Sequence, residues 1–101
     1  MGFRIALETE RGVAIEDIID PNNYLHRLLP SFDDTSFQWL RYIDWYADTV
    51  FNGMQIVPFL EEWRRLYSRA VSDEDYDILR KVEALALKIQ EEPYYLKFYG
   101  D

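Results

Sequence analysis

"FRIALETERGVAIEDII", residues 3–19, decides the fold class, because its apolar residues recur with a period of two on both sides of a polar break. Phe3, Ile5 and Leu7 alternate with Arg4, Ala6 and Glu8; Val13, Ile15, Asp17 and Ile19 alternate with Ala14, Glu16 and Ile18. Successive side chains of an extended backbone point to opposite faces, so the pattern predicts two strands. Thr9, Glu10, Arg11 and Gly12 between them supply turn chemistry with a glycine and join the strands as a hairpin.

Downstream the period changes. In "DPNNYLHRLLP" (20–30) Asp20 can cap a helix, Pro21 sits where a missing N–H costs nothing, and Pro30 stops the run, which predicts a short helix. "SFDDTS" (31–36) reads as loop. "FQWLRYI" (37–43), aromatic and aliphatic on both faces, reads as a central strand, with a short strand at 49–52. Ile56, Phe59, Leu60, Trp63, Leu66, Tyr67 and Ala70 fall at offsets of three, four and seven, the stripe of an amphipathic helix with Pro58 in its first turn. Ser72 followed by Asp75 opens a second long helix, whose stripe is Ile78, Val82, Leu85 and Ile89 and which ends before Pro93. "YYLKFYG" (94–100) alternates again and must travel back into the sheet. Strands cluster early and long helices late. That order predicts one α+β domain over 1–101, a small antiparallel or mixed sheet with the two longer helices packed on one face.

Composition narrows the function. The chain has 101 residues, 49% hydrophobic and 17% aromatic, which suits a folded domain rather than a disordered one. No cysteine is present, so disulfides, thiolate nucleophiles and cysteine metal sites are excluded, in keeping with a reducing cytoplasm. "MGFRIALETE" lacks the basic start and apolar run of a signal peptide, and no segment reaches the roughly 20 apolar residues of a membrane span. Nineteen acidic against eleven basic side chains give a net charge of -8. Such a field repels phosphate backbones and anionic membranes and favours a basic protein partner over nucleic acid.

Catalytic signatures are missing. With only four glycines neither a phosphate loop nor a dinucleotide fingerprint can be written, and the serines lie in loop or cap contexts. His26 is the only histidine and reads as a helix-surface residue. No cofactor is implied. The richest polar stretch is "YIDWYADTVFNGMQ" (42–55), which carries Asp44, Asp48, Thr49, Asn52 and Gln55 among aromatics. Two carboxylates four residues apart could face a divalent metal or act as an acid/base pair, but hard-cation sites gather more oxygen ligands than these. The expected role is a turn and cap: Asx turns at the aspartates, and Asn52 capping the following helix with Gln55 three residues on. Asp48 is expected to satisfy a buried donor.

Charges on the helices read locally. Glu61 and Glu62, three or four residues before Arg64 and Arg65, support an exposed helix face. Asp73, Glu74, Asp75 and Asp77 crowd a helix N-terminus, where the macrodipole favours them. Glu91 and Glu92 at its other end oppose that dipole unless a cation such as Lys88 or Lys97, or a basic partner, answers them. Tyr95, Lys97 and Tyr99 share one face of the last strand. With Glu91 and Glu92 they form a candidate partner surface, since tyrosine is enriched at interfaces.

"LRYIDWYADTVFNGMQIVPFLEEW" with the closing "YLKFYGD" resembles a group of small bacterial proteins to which no function is attached. The resemblance is sharpest in "DTVFN", Gln55 and "FLEEW"; the group tends to carry proline and glycine where this chain has Trp45 and Ala47. It implies a bacterial single-domain protein and carries over no functional residue.

Two functions from different classes follow. The first is a non-enzymatic interaction module whose acidic, aromatic surface recognises a basic protein, in the manner of small immunity or antitoxin-type inhibitors, an analogy of size and charge. The second is a small-molecule binder or weak enzyme using Asp44, Asp48, Asn52 and Gln55 in an aromatic cleft.

Overall fold

The computed structural model describes residues 2–90 and 93–100. Strands β1 (Arg4–Glu8) and β2 (Ala14–Ile19) form the hairpin, with Arg4 opposite Ile19 and Leu7 opposite Glu16. Its turn closes through the Gly12 N–H on the Thr9 carbonyl and the Thr9 N–H on the Val13 carbonyl, both 2.9 Å. Gly12 has φ +81, a backbone state that a side chain would strain.

The strand order is β2-β1-β4-β3, with every neighbouring pair antiparallel. The last strand, β4 (Tyr95–Tyr99), therefore does return, and it enters the middle of the sheet between β1 and the short β3 (Asp48–Phe51). Alternation decides which side each residue takes. Ile5, Leu7, Phe51, Leu96 and Phe98 point inward and are buried, where they meet α2 (Ile56–Arg65) and α3 (Asp73–Ile89). Each such burial stabilises the fold by about 1.5–3 kcal/mol. Trp63 is fully buried at the centre, its ring 5.4 Å from Phe59 and 6.0 Å from Phe98, and its indole N–H donates to the Leu79 carbonyl at 2.9 Å.

Helix starts and stops follow their local chemistry. Ser72 Oγ accepts the Asp75 N–H at 3.1 Å and opens α3. Pro58 lies in the first turn of α2, where it interrupts no helical hydrogen bond. The stripe expected as one helix to residue 70 tightens after Arg65 into a 3-10 turn, Leu66–Arg69. The helix after the hairpin, α1 (Tyr24–Leu28), is shorter than "DPNNYLHRLLP" suggested. Asp20 caps it from a distance, its buried carboxylate accepting the N–H groups of Tyr24 at 3.1 Å and Leu25 at 2.8 Å. Leu29, before Pro30, is already extended.

One element differs from expectation. Residues 37–43 form no strand; they run as an irregular segment with a 3-10 turn at Leu40–Tyr42. Phe37, Leu40 and Ile43 are the buried residues, a spacing of three, whereas alternation would have driven Arg41 into the core beside them. A side chain, not a neighbouring strand, takes the backbone donors of residues 38–40.

Candidate functional site

That side chain is Glu62. Its Oε2 accepts the Gln38 N–H at 2.6 Å, and its Oε1 accepts those of Trp39 at 2.9 Å and Leu40 at 3.0 Å. Glu62 is buried, so it is not half of an exposed i,i+4 pair; a carboxylate on three backbone donors exchanges its hydration for charge-assisted bonds. Asp75 likewise is fully buried, taking the Val71 N–H at 3.1 Å and the Arg27 guanidinium at 2.9 Å in addition to its place at the helix dipole. Burial pushes its pKa upward, but the Val71 N–H and Arg27 outweigh that and hold it below the usual carboxylate range. The Glu62 contacts and the Arg27–Asp75 pair join residues far apart in sequence, which is why local spacing missed them.

The polar stretch 44–55 divides into separate local structures. Asp44 Oδ1 accepts the Tyr46 N–H at 2.8 Å in an Asx turn, while the Asp44 N–H donates to Thr49 Oγ1 at 3.1 Å. Asn52 and Gln55 bond reciprocally: Asn52 Oδ1 accepts the N–H groups of Met54 at 2.9 Å and Gln55 at 3.1 Å, and Gln55 Oε1 accepts the Asn52 N–H at 2.9 Å. This is capping-box geometry on the turn that leads into α2. Asp48 and Thr49 are consecutive in β3 and so lie on opposite faces. Asp48 is exposed and stands 3.7 Å from Lys97, and among the described residues no backbone donor is its partner, so it does not satisfy the buried donor expected of it. The cluster that the sequence suggested does not converge. Among the described residues no group of three or more His, Asp or Glu side chains is placed to hold a metal.

Asp48 belongs instead to the side of the sheet that the helices leave open. The registers set Arg4, Tyr99 and Asp48 in one row across β1, β4 and β3, and Ala6, Lys97 and Val50 in the next. Tyr99 donates its hydroxyl to Glu8, Lys97 Nζ lies 4.5 Å from the Tyr99 ring, and the Arg4 guanidinium 4.7 Å from it. Partial burial works against the Lys97 charge, yet Tyr99, Glu8 and Asp48 raise its pKa, so it stays a cation. Arg4 pairs with Asp17 at 2.8 Å. Around these matched charges Ile19 is 64% and Val50 48% exposed. Tyr95, Lys97 and Tyr99 thus share the face expected of them; Glu91 and Glu92, the other members of that candidate surface, lie outside the described residues. Lys88, offered as their counter-charge, pairs with Glu16.

The structure also carries a concavity. A cleft of about 600 Å³ lies between residues 30–32 and 41–46. Arg41 braces it, with Nη1 on the Phe32 carbonyl at 2.8 Å and Nη2 on the Tyr42 hydroxyl at 2.7 Å. Of the stretch 44–55 this cleft reaches only Asp44, Trp45 and Tyr46. His26 is half-buried rather than a plain surface residue: it stacks on Phe3 at 5.1 Å and meets Trp45 edge-on at 4.8 Å, fixing that indole against the core. Gly100 backs onto the same loop so closely that a Cβ would stand 2.6 Å from the backbone of Ala47.

No protein-family model matches the chain, and neither a curated protein nor a solved structure is significantly similar to it.

Proposed function

We propose that this protein is a non-enzymatic interaction module of the bacterial cytoplasm that recognises a basic protein partner, in the manner of a small immunity or antitoxin-type inhibitor. The observation that carries this reading is the uncovered side of the four-stranded sheet, where Ile19, Val50, Tyr95 and Tyr99 stand among the pairs Arg4–Asp17 and Lys97–Asp48. Apolar and aromatic side chains framed by satisfied charges are the composition of a protein interface. The net charge of -8 adds long-range attraction for a basic partner. The competing small-molecule reading loses its cluster, since Asp44, Asp48 and the Asn52–Gln55 pair serve separate contacts.

Affinity capture with the wild type and with an Ile19→Lys/Val50→Lys variant tests the reading. Both positions are exposed, so the variant should keep its melting temperature while losing a basic partner through reduced apolar contact and added positive charge. Equal capture by both proteins would contradict it.

A further inference from the structure

The geometry points to a second recognition site: the cleft between residues 30–32 and 41–46 takes an extended, proline-rich segment of a partner protein that carries a basic residue. The inference rests on the reading that the protein acts by binding another protein, and it adds a separate site with its own ligand chemistry.

The first observation is exposed aromatic surface on a fixed backbone. Phe32 is 63% exposed, Tyr42 51% and Tyr46 78%, whereas Phe3, Phe37, Phe51, Phe59 and Phe98 are buried. The backbone beneath them is held by Glu62 on residues 38–40, by Arg41 on Phe32, and by Thr49 on Asp44. Flat rings on a preorganised frame bind with little loss of conformational entropy, and about 600 Å³ falls within the range of ligand pockets.

Hydrogen-bonding capacity selects among ligands. Arg41 directs one bond from each Nη atom to a partner inside the protein, and its guanidinium lies 5.1 Å from the Phe32 ring and 4.6 Å from the Tyr42 ring, so it acts as a strut between the two. Tyr42 accepts the Arg41 bond, which leaves its own hydroxyl proton to donate. Among the described residues the Tyr46 hydroxyl and the Trp45 indole N–H have no partner. The site therefore offers donors. A polyproline II segment carries carbonyls that make no internal hydrogen bonds, and its prolines bring no N–H that would demand an acceptor. Aromatic-lined grooves suit such segments because the ligand is already ordered before it binds.

Charge adds the basic residue. Asp44 uses Oδ1 for the Tyr46 N–H, and its Oδ2 has no partner among the described residues, so the one lining carboxylate keeps an oxygen for a guanidinium or ammonium group. The net charge of -8 favours the same sign of ligand.

Titration of the isotope-labelled protein with an acetylated, amidated polyproline peptide containing one arginine, followed by NMR, tests the proposal. The expected result is a saturable shift of the Trp45 indole and of the amides from Arg41 to Tyr46. Tyr46→Ala should weaken binding about tenfold, Tyr46→Phe less, and Asp44→Asn should abolish the preference for the arginine peptide over one with glutamate in its place. Tyr46 is exposed, and the side-chain amide oxygen in the Asp44→Asn variant can still accept the Tyr46 N–H, so unchanged melting temperatures establish that these variants fold. The site is overturned if no saturable shift appears, if a serine-glycine peptide of equal length and charge binds as well, or if the shifts fall on β2 and β4. Loss of partner capture in the Ile19→Lys/Val50→Lys protein, with no response to the proline peptide, would remove this site alone. A peptide seated in the cleft while that variant captures normally would remove the sheet face and leave the cleft standing.

Discussion

The Oε1 atom of Glu62, on α2, accepts the N–H of Leu40 at 3.0 Å, and both residues are buried. The same carboxylate holds the N–H groups of Gln38 and Trp39, so one side chain does for residues 38–40 what a neighbouring strand would have done. It also sets the frame from which Tyr42 and Trp45 reach the surface cleft.

Glu62→Ala should therefore lower the unfolding free energy by about 2–4 kcal/mol, because buried donors lose a charged acceptor. Glu62→Gln should cost less, about 1–2 kcal/mol, since one oxygen remains. Urea denaturation of the variants measures both. A cost for Glu62→Ala under about 0.5 kcal/mol, the scale of a neutral surface change, would show that the carboxylate does not hold the segment.

Asp75 predicts an acid limb to stability. Its pKa is lowered in the fold relative to the unfolded chain, so its contribution is fully present above the ordinary aspartate range and is lost as the pH falls below about 4 through the lowered value. Thermal melts between neutral pH and about pH 3 should show the parent losing stability more steeply than Asp75→Asn, whose side chain does not titrate there. Parallel curves would contradict the assignment. Arg27→Ala should cost about 1–2 kcal/mol at neutral pH, a value discounted because the guanidinium is half-exposed.

Asp48 and Asn52, four residues apart, should respond unequally to alanine. Asp48 is itself exposed and its ion partner Lys97 stands 3.7 Å away, so Asp48→Ala should change stability by less than about 0.5 kcal/mol. Asn52 accepts two backbone N–H groups at the entry to α2, so Asn52→Ala should cost about 1 kcal/mol. A reversed order, read from denaturation midpoints, would return Asp48 to a structural role.

The parts of the fold that the sequence announced are those governed by local periodicity. β1, β2 and β4 alternate, α2 and α3 carry stripes, and Ser72 with Asp75 marks a helix start in the chain itself. Residues 37–43 misled because aromatic and aliphatic residues on both faces fit a buried strand, whereas the residues that face the core are Phe37, Leu40 and Ile43, at a spacing of three, with Arg41 outside. The roles of Glu62 and Asp75 were hidden for another reason. Each sits at a spacing that an exposed helix explains, while the partners of Glu62 lie 22–24 residues away and the cation paired with Asp75 lies 48 away. Of the candidate residues, the Asn52–Gln55 pairing was legible because the interaction spans three residues, although it closes the turn before α2 and the N-cap of that helix is Gln55, with no side-chain cap. Asp48 was not, because its partner is set by the β3–β4 register.

The interaction reading is tested most directly by the association rate of the captured partner with the wild-type protein at two ionic strengths. Screening shortens the reach of charge from about 30 Å at 0.01 M salt to about 8 Å at 0.15 M. Attraction between a basic protein and a domain of net charge -8 should therefore make the association rate fall severalfold between those conditions, with dissociation changing less. An association rate that is independent of salt or rises with it, or a captured partner that is itself acidic, would contradict the account.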